Sequence, residues 1–564
     1  LWQLKHRTVQ AVLERSAQFY PEHTALSYAD GNPINYAELK NQVDRLSAFL
    51  QDQGVGEGDR VAIVGENSPN WGIAFFAVAT IGAVVVPILP DFHTSEIHHI
   101  LRHSGSKAVF VSERFFHKIE DFDLDDFTVV VLLDDFSIIG ADTSKATLKK
   151  LLAEGGKELK KIKTIVLRIA GIFPPHIKED ALASIVYTSG TTGHSKGVML
   201  SHKNLVSDAI ATAEIVSVTD EDRMLSILPL AHVYECTLGF ILPIMKGASV
   251  YYLRKPPTAA IMVPALAAVK PTIMLSVPLI IEKMYRSRIA PEINKKKIVR
   301  LLYKFPLLRK RINKMAGKKL LAIFGGELKI FCIGGAALSS EVEKFLREAD
   351  FPYAVGYGLT ETSSLVAGTN QKRTRFRSTG QAIPGVEIKI DHADPKTGEG
   401  EILVRGDAVM QGYYHDPERT AEAFSAGGWF RTGDLGVIGA DSYLYINGRL
   451  KNVIVGPSGE NIYLEAIESI VNRSDIVLES LVFQDQGSLA ARIHLDYEKL
   501  DLEFTEKHLS EMQIQDHIKT ILEDVRKQVN EQVSSFSRLG KVIEQTEPFE
   551  KTPTQKIKRY LYTN

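Results

Sequence analysis

Short apolar runs alternate with amphipathic stretches along the N-terminal part of the chain. The spacing predicts a helix over about 7–19, a short strand at Ala25-Leu26-Ser27-Tyr28, and a helix opening at Asn35-Tyr36-Ala37-Glu38 and reaching Gln51. A turn over 54–59 leads into the strand Arg60-Val61-Ala62-Ile63-Val64. Further strands follow at 84–87 and 108–111, with a helix near 95–103 between them. Strand, helix and strand in alternation argue for an α/β fold with a largely parallel sheet. Residues 112–180 are more polar, and 128–133 and 164–167 read as strands within them. The uncharged run 71–90 is long enough to cross a bilayer. Gly82, Pro87 and Pro90 interrupt it, Asn67-Ser68-Pro69-Asn70 supplies a helix start, and Val84-Val85-Val86 reads as strand. A buried helix followed by a buried strand is the expectation.

At 564 residues the chain exceeds one ordinary domain. Apolar residues make up 45% and charged residues 24%, the balance of a globular protein. A net charge of −1 gives no electrostatic reason for a nucleic-acid partner. Cys236 and Cys332 cannot build a disulfide framework and stand at no zinc spacing, so a reducing, cytoplasmic setting is expected. Residues 1–14 are amphipathic and charged throughout, unlike a secretory signal. One segment departs from this evenness. Residues 293–326 carry eleven Lys and Arg and no Asp or Glu, interleaved with Ile298, Val299, Leu301, Leu302, Phe305, Leu307 and Leu308. Two readings stand open: a peripheral membrane contact through 293–319, or a solvated helical face whose apolar side packs on the core.

The densest chemistry lies in Tyr187-Thr188-Ser189-Gly190-Thr191-Thr192-Gly193-His194-Ser195-Lys196-Gly197. The β-prone run Ala183-Ser184-Ile185-Val186 precedes it, and Val198-Met199-Leu200 follows, with Ser201 as a helix N-cap. Three glycines allow backbone N–H groups to converge on an anion, five hydroxyls add donors, and Lys196 adds a full charge. A polyphosphate suits this inventory better than a plain polar loop does. The Walker pattern fails, because no Gly-Lys-Ser or Gly-Lys-Thr occurs. The stretch resembles the signature of the adenylate-forming enzymes: acyl-CoA synthetases, peptide-synthetase adenylation domains and beetle luciferase.

That resemblance implies further motifs in a fixed order, and the chain carries them. The strand at Met224–Leu228 runs through Pro229 and Leu230 to His232, similar to the family's motif in which the histidine borders the acyl and phosphate sites. Glu235 beside it is read as structural. Leu328–Ile333 is a strand ending in Gly334-Gly335-Ala336, which matches the adenine-side motif, and a helix is expected to start near Ser340 with a capping box to Glu343. Gly356-Tyr357-Gly358-Leu359-Thr360-Glu361 follows, where the resemblance implies that Tyr357 stacks on adenine, Thr360 bonds the α-phosphate, and Glu361, with Thr188, holds Mg²⁺. Asp434 in Trp429-Phe430-Arg431-Thr432-Gly433-Asp434 is the implied ribose acceptor, and Arg449 the ribose or phosphate arginine. Lys451 stands at the implied hinge, Gly459 in the loop lining the thiol tunnel, and Lys556 in the last motif, where Gln555 replaces the usual glycine.

The resemblance covers nearly the whole chain and looks most like a bacterial-type long-chain fatty acyl-CoA synthetase. It implies an α/β fold: a large N-terminal domain (1–449) of mixed, mostly parallel sheets flanked by helices, and a small mobile α+β C-terminal domain (452–564). It implies ATP, Mg²⁺, coenzyme A and a fatty acid, with Lys556, His232, Thr188 and Glu361 as catalytic residues. The phosphate loop, Gly334 to Ala336, Tyr357 to Thr360, Asp434, Arg449, Lys451, Gly459 and Lys556 are the implied nucleotide and thiol contacts. Alternatives are acyl carrier protein as acceptor, another carboxylic acid, or a non-catalytic nucleotide-binding homologue.

Overall fold

The computed structural model describes residues 4–123, 126–139, 177–188, 195–295, 297–455, 461–507, 510–552 and 556–563. The strand expected at 164–167 lies outside them. Two large sheets form the frame. One has eight strands, with Arg60–Val64 and Val84–Ile88 side by side in the centre and the hairpin Leu182–Thr188/Lys196–Ser201 beside them. The other has seven, and five consecutive pairings are parallel from Tyr353–Val355 to Thr24–Tyr28. A third sheet, built from Val386–Asp391, Gly400–Gly406, Phe424–Ser425, Trp429–Ile438 and Leu444–Arg449, is antiparallel throughout.

The apolar run 71–90 folds as expected. Ser68 caps the helix Pro69–Ala79 by accepting the Trp71 N–H, and Pro69 occupies the first turn, where no N–H is needed. Gly82, at φ +76°, makes the left-handed turn into Val84–Ile88. That strand pairs in parallel with both neighbours and all five residues are buried. Burial on both faces removes the polar alternation, so strand and helix together imitate a membrane span. Among the described residues, no helix is long and apolar enough to cross a membrane.

The main core extends from Val9 to Leu444. A separate core, from Ile462 to Leu539, lies between the sheet Val477–Asp485/Ser488–Leu495/Leu539–Glu544 and the helices Leu464–Val471 and Glu511–Asn530. The chain is thus α/β, with a large N-terminal domain and a small α+β C-terminal one. Lys451 sits exposed in the short turn Leu450–Asn452 between the two cores.

One local expectation is corrected. The helix Ser340–Glu348 is preceded by Ser339, whose side chain makes no cap bond, so no box forms between Ser340 and Glu343. Glu343 instead accepts the Tyr353 hydroxyl at 3.2 Å and the Arg377 N–H at 3.0 Å. Tertiary donors outbid the local one.

Candidate active site

The hairpin Leu182–Thr188/Lys196–Ser201 brings Thr188 and Lys196 opposite each other as Cα partners. Ser189, Gly190, Thr191, Thr192 and Gly193 lie in the connection between them, outside the described residues. The Thr188 hydroxyl oxygen is buried with no hydrogen-bond partner among the described residues. Lys196 Nζ reaches Glu361 Oε1 at 2.9 Å and the Tyr413 hydroxyl at 2.8 Å, and the same hydroxyl donates to Glu361 at 2.9 Å. Burial pushes the Glu361 carboxyl up, but the Lys196 charge and hydrogen bond more than offset it, leaving the carboxyl below its ordinary range. Glu361 is therefore an ionised group held inside the protein.

Backbone strain aims that carboxylate. Glu361 occupies the turn Thr360–Thr362, and Ser363 and Ser364 follow at φ 60° and 144°, conformations costly for side-chain-bearing residues. Ser363 Oγ donates to Ala408 O at 2.8 Å, and buried Asp208 accepts the Leu365 N–H at 3.2 Å, which pins the exit from the turn. Gly358 is required here: a Cβ would lie 1.4 Å from Ser364 O. Leu359 N–H bonds Thr362 Oγ1 at 3.0 Å, and Thr360 is half-buried at the start of the turn.

A second row lies alongside. Tyr357, buried between Gly356 and Gly358, donates its hydroxyl to Asp434 Oδ2 at 2.6 Å, and Arg449 Nε meets Asp434 Oδ1 at 2.9 Å. Asp434 and Arg449 face each other as a register pair of the antiparallel sheet, so the sheet itself sets their spacing. Burial raises the Asp434 carboxyl in spite of Arg449 and the Tyr357 hydroxyl.

Lys556 joins these groups from the other domain. The Thr552 N–H bonds Lys556 O at 2.7 Å, next to the antiparallel bridge between Lys551 and Ile557. Its side chain is exposed. Burial and the Arg449 charge push its ammonium pKa down, while Asp434, Glu361 and Glu465 pull it up. His232 feels the same lysine: burial first, then the Lys556 charge, push its imidazole down to about 4. The ring is neutral, and because Nδ1 accepts the Tyr234 N–H at 3.2 Å, its proton sits on Nε2.

Gly334 lies against Tyr234, whose ring stands 3.2 Å from where a Cβ would be, and Gly335 takes a left-handed φ of +83°. Gly335 and Ala336 are exposed, leaving a free backbone edge at the end of the strand Ile330–Ile333. Gly459 lies outside the described residues. Lys451 is an exposed turn residue.

Tyr413 was not legible from sequence. It lies 217 residues from Lys196, on the two-residue strand Gly412–Tyr413, and carries no motif chemistry. Glu465, which acts on Lys556 and accepts the Asn452 side-chain amide at 2.6 Å, was likewise missed.

The donor set fits Mg²⁺ held together with phosphate oxygens. Glu361 and the Thr188 hydroxyl, partnerless among the described residues, would offer oxygen ligands, and among those residues no three His, Cys, Asp or Glu side chains gather to hold a metal alone.

The chain belongs to the AMP-binding enzyme family, whose pattern matches residues 13–414. A long-chain-fatty-acid–CoA ligase of Mycobacterium bovis is 29% identical over 534 residues, covering 88% of this chain and 83% of that one. A peroxisomal long-chain acyl-CoA synthetase of Arabidopsis thaliana is 28% identical over 575 residues, covering 93% and 79%. The o-succinylbenzoate CoA synthetase of Bacillus subtilis, solved with its acyl-adenylate, shares the fold at TM-score 0.74 and 22% identity, covering 98% of both chains.

Proposed function

We propose that this protein is an AMP-forming acid–thiol ligase whose acid is a long-chain fatty acid. In the first step the fatty-acid carboxylate attacks the α-phosphorus of ATP, and pyrophosphate leaves. In the second the thiol of coenzyme A attacks the acyl carbon of the acyl-AMP and releases AMP. The observation that carries the reading is the meeting of the Lys196–Glu361 pair, the Tyr357–Asp434–Arg449 row and Lys556 within one another's electrostatic reach.

Bringing a carboxylate onto a polyphosphate is a problem of positioning and charge, and no protein nucleophile is needed. Lys196 and the backbone from Ser189 to Gly193 would gather the phosphates, with Thr360 on the α-phosphate. Mg²⁺, held by Glu361 and Thr188, would neutralise charge on the leaving pyrophosphate. Asp434 would accept the ribose hydroxyls, exchanging the Tyr357 hydroxyl for them, and Arg449 would keep that carboxylate ionised. The adenine would lie between the Tyr357 ring and the Gly334-Gly335-Ala336 edge, beside Gly358 and Leu359. Neutral His232 would border the acyl carboxylate without adding charge, and Lys556 would bridge the carboxylate and the α-phosphate.

For the second step, residues 452–564 would turn against 1–449 about Lys451, withdrawing Lys556 and bringing Gly459 to the thiol path. The long-chain acid is supported by His232-Val233-Tyr234-Glu235, by the basic-apolar segment and by the Mycobacterium and Arabidopsis relatives. A cytoplasmic enzyme in peripheral contact with a membrane through 293–319 fits such a substrate. The likeness to the o-succinylbenzoate synthetase favours a second reading, in which the same machinery takes another carboxylic acid.

Pyrophosphate release with ATP and Mg²⁺, across straight-chain acids from acetate to stearate and with o-succinylbenzoate, tests the proposal. Turnover that peaks from laurate to stearate and requires coenzyme A is expected. Release that stops after one turnover without regard to coenzyme A would move the acceptor to a carrier protein. Absence of release with every acid would overturn the ligase reading.

A further inference from the structure

The basic segment presents two different faces. Helix Lys297–Leu302 buries none of its residues, and helix Pro306–Ile323 buries only Asn313, Gly317 and Leu320. Val299, Tyr303, Ile312, Ala316, Leu321 and Ile323 pack against the main core. A second set of apolar side chains faces solvent instead. Ile298, Leu301, Leu302 and Phe305 recur at helical spacing and are 72, 59, 36 and 56% exposed. Leu307 and Met315, 82 and 68% exposed, continue the surface, with Arg311 midway between them on the same helical row.

The inner face is fastened down. Arg309 forks onto Glu348 at 2.8 and 2.9 Å, Asn313 donates to Glu348 at 2.8 Å, and Gly317 lies so close that a Cβ would meet Ala349 O at 2.5 Å. Lys314 pairs with Asp350 and Lys319 with Glu292. Lys297, Arg300, Lys304, Lys310, Arg311 and Lys318 make no ion pair among the described residues. Removing the eleven cations of 293–326 from a net charge of −1 leaves −12 on the rest of the chain, so the charge is segregated, not merely abundant.

We infer that this outer face is a docking surface for an anionic lipid bilayer. Unpaired cations meet the headgroup phosphates, and Leu301, Phe305 and Leu307 enter the boundary with the acyl chains. A second copy of the chain would bring like charges together. A nucleic acid would satisfy the cations but leave the apolar row in water. A partner that wraps a basic amphipathic helix needs its apolar face free on both sides, and here the inner side is already packed. This assigns the membrane contact of the proposed function to named side chains. Its test needs no turnover, so failure here leaves the ligase reading standing.

The test is co-sedimentation of the whole protein with vesicles. Phosphatidylcholine vesicles containing phosphatidylglycerol should carry the protein down, pure phosphatidylcholine vesicles far less, and rising salt should release it. The triple change Lys304→Glu, Lys310→Glu and Arg311→Glu should weaken partitioning by about a hundredfold. The pair Leu301→Ser and Leu307→Ser, which leaves charge untouched, should weaken it by about tenfold. All these side chains are exposed, so melting temperature and pyrophosphate release in lipid-free buffer should stay unchanged. Should the triple variant fail to fold, the serine pair decides alone. Failure of the wild-type protein to sediment with anionic vesicles overturns the inference. So does full binding by the serine pair together with tight duplex-DNA binding, which would mark a polyanion site.

Discussion

Two buried glutamates in this protein end in opposite states. Glu361, in the strained turn Thr360–Thr362, is 8% exposed and ionised, because Lys196 stands 2.9 Å away. Glu235, in the wide-turn helix Glu235–Ile241, is 1% exposed and makes no ion pair among the described residues. Burial pushes its carboxyl up to about 8, with the Ser226 hydroxyl offsetting only part. One of its oxygens has no hydrogen-bond partner among the described residues. Gly239 makes room beneath it, since a Cβ there would lie 2.7 Å from the carboxyl carbon. Both side chains lost water; only one was given a counter-charge. An interior carboxylate kept ionised holds a full charge at a fixed point, and that is what binding a cation and a polyphosphate requires. A neutral interior acid is a packing and hydrogen-bonding element.

The comparison breaks hardest at the cations around the ionised group. Lys556→Ala should slow acyl-AMP formation by about a thousandfold, the scale of losing one preorganised charge at a reacting centre. Thioester formation from supplied acyl-AMP should change little. Single-turnover measurements of the two half-reactions separate these outcomes, and equal loss in both would refute the division of labour assigned to Lys556. Glu361→Gln keeps the shape and removes the charge. It should lower kcat/KM by about a hundredfold, with part of the loss recovered at raised Mg²⁺. Tyr413→Phe removes a hydroxyl that bonds both Lys196 and Glu361. Losing these two positioning hydrogen bonds, while the Lys196–Glu361 pair itself remains, implies a loss of about tenfold, and an unchanged KM for ATP would show that Tyr413 positions the pair without shaping the ground-state complex.

Charged residues in spaced motifs are legible in sequence, and the structure pairs Lys196 with Glu361 and Arg449 with Asp434, while Lys556 feels Arg449, Asp434 and Glu361. The parallel strands Arg60–Val64 and Val84–Ile88 were legible because burial on both faces makes them unbroken apolar runs. Tyr413 was hidden because its value lies in long-range contact, not in pattern. The expected box at Ser340 failed because Glu343 is claimed by Tyr353 and Arg377, partners that local sequence cannot reveal. The basic segment was ambiguous for a physical reason as well. An amphipathic helix and a surface-active one share composition and spacing, and only the packing of Ile312 and Ala316 inward against Leu307 and Met315 outward tells the faces apart.

The gentlest substitution tests the comparison most directly. Glu235→Gln is the same change as Glu361→Gln, made at the neutral member. An ordinary glutamate loses its proton near 4.5, whereas Glu235 holds its own up to about 8. Between those values folding takes up a proton, so the group's contribution to stability falls as pH rises toward about 8. His202 and His232, both pushed down to about 4 by burial, slope the other way: their contribution is lost as pH falls from the ordinary 6.5 toward 4. The ranges overlap from about 4.5 to 6.5, where two histidines outweigh one glutamate, so the wild-type melting temperature should pass through a maximum near pH 6.5. Glu235→Gln should match the wild type below about pH 4.5 and exceed it increasingly above, by up to about 5 kcal/mol of unfolding free energy beyond about pH 8. Pyrophosphate release at neutral pH should stay within about twofold of wild type, since glutamine reproduces the protonated acid in size and neutrality. A variant that folds normally yet loses turnover would place charge on Glu235 during the reaction, and the division between a working carboxylate and a structural one would fall.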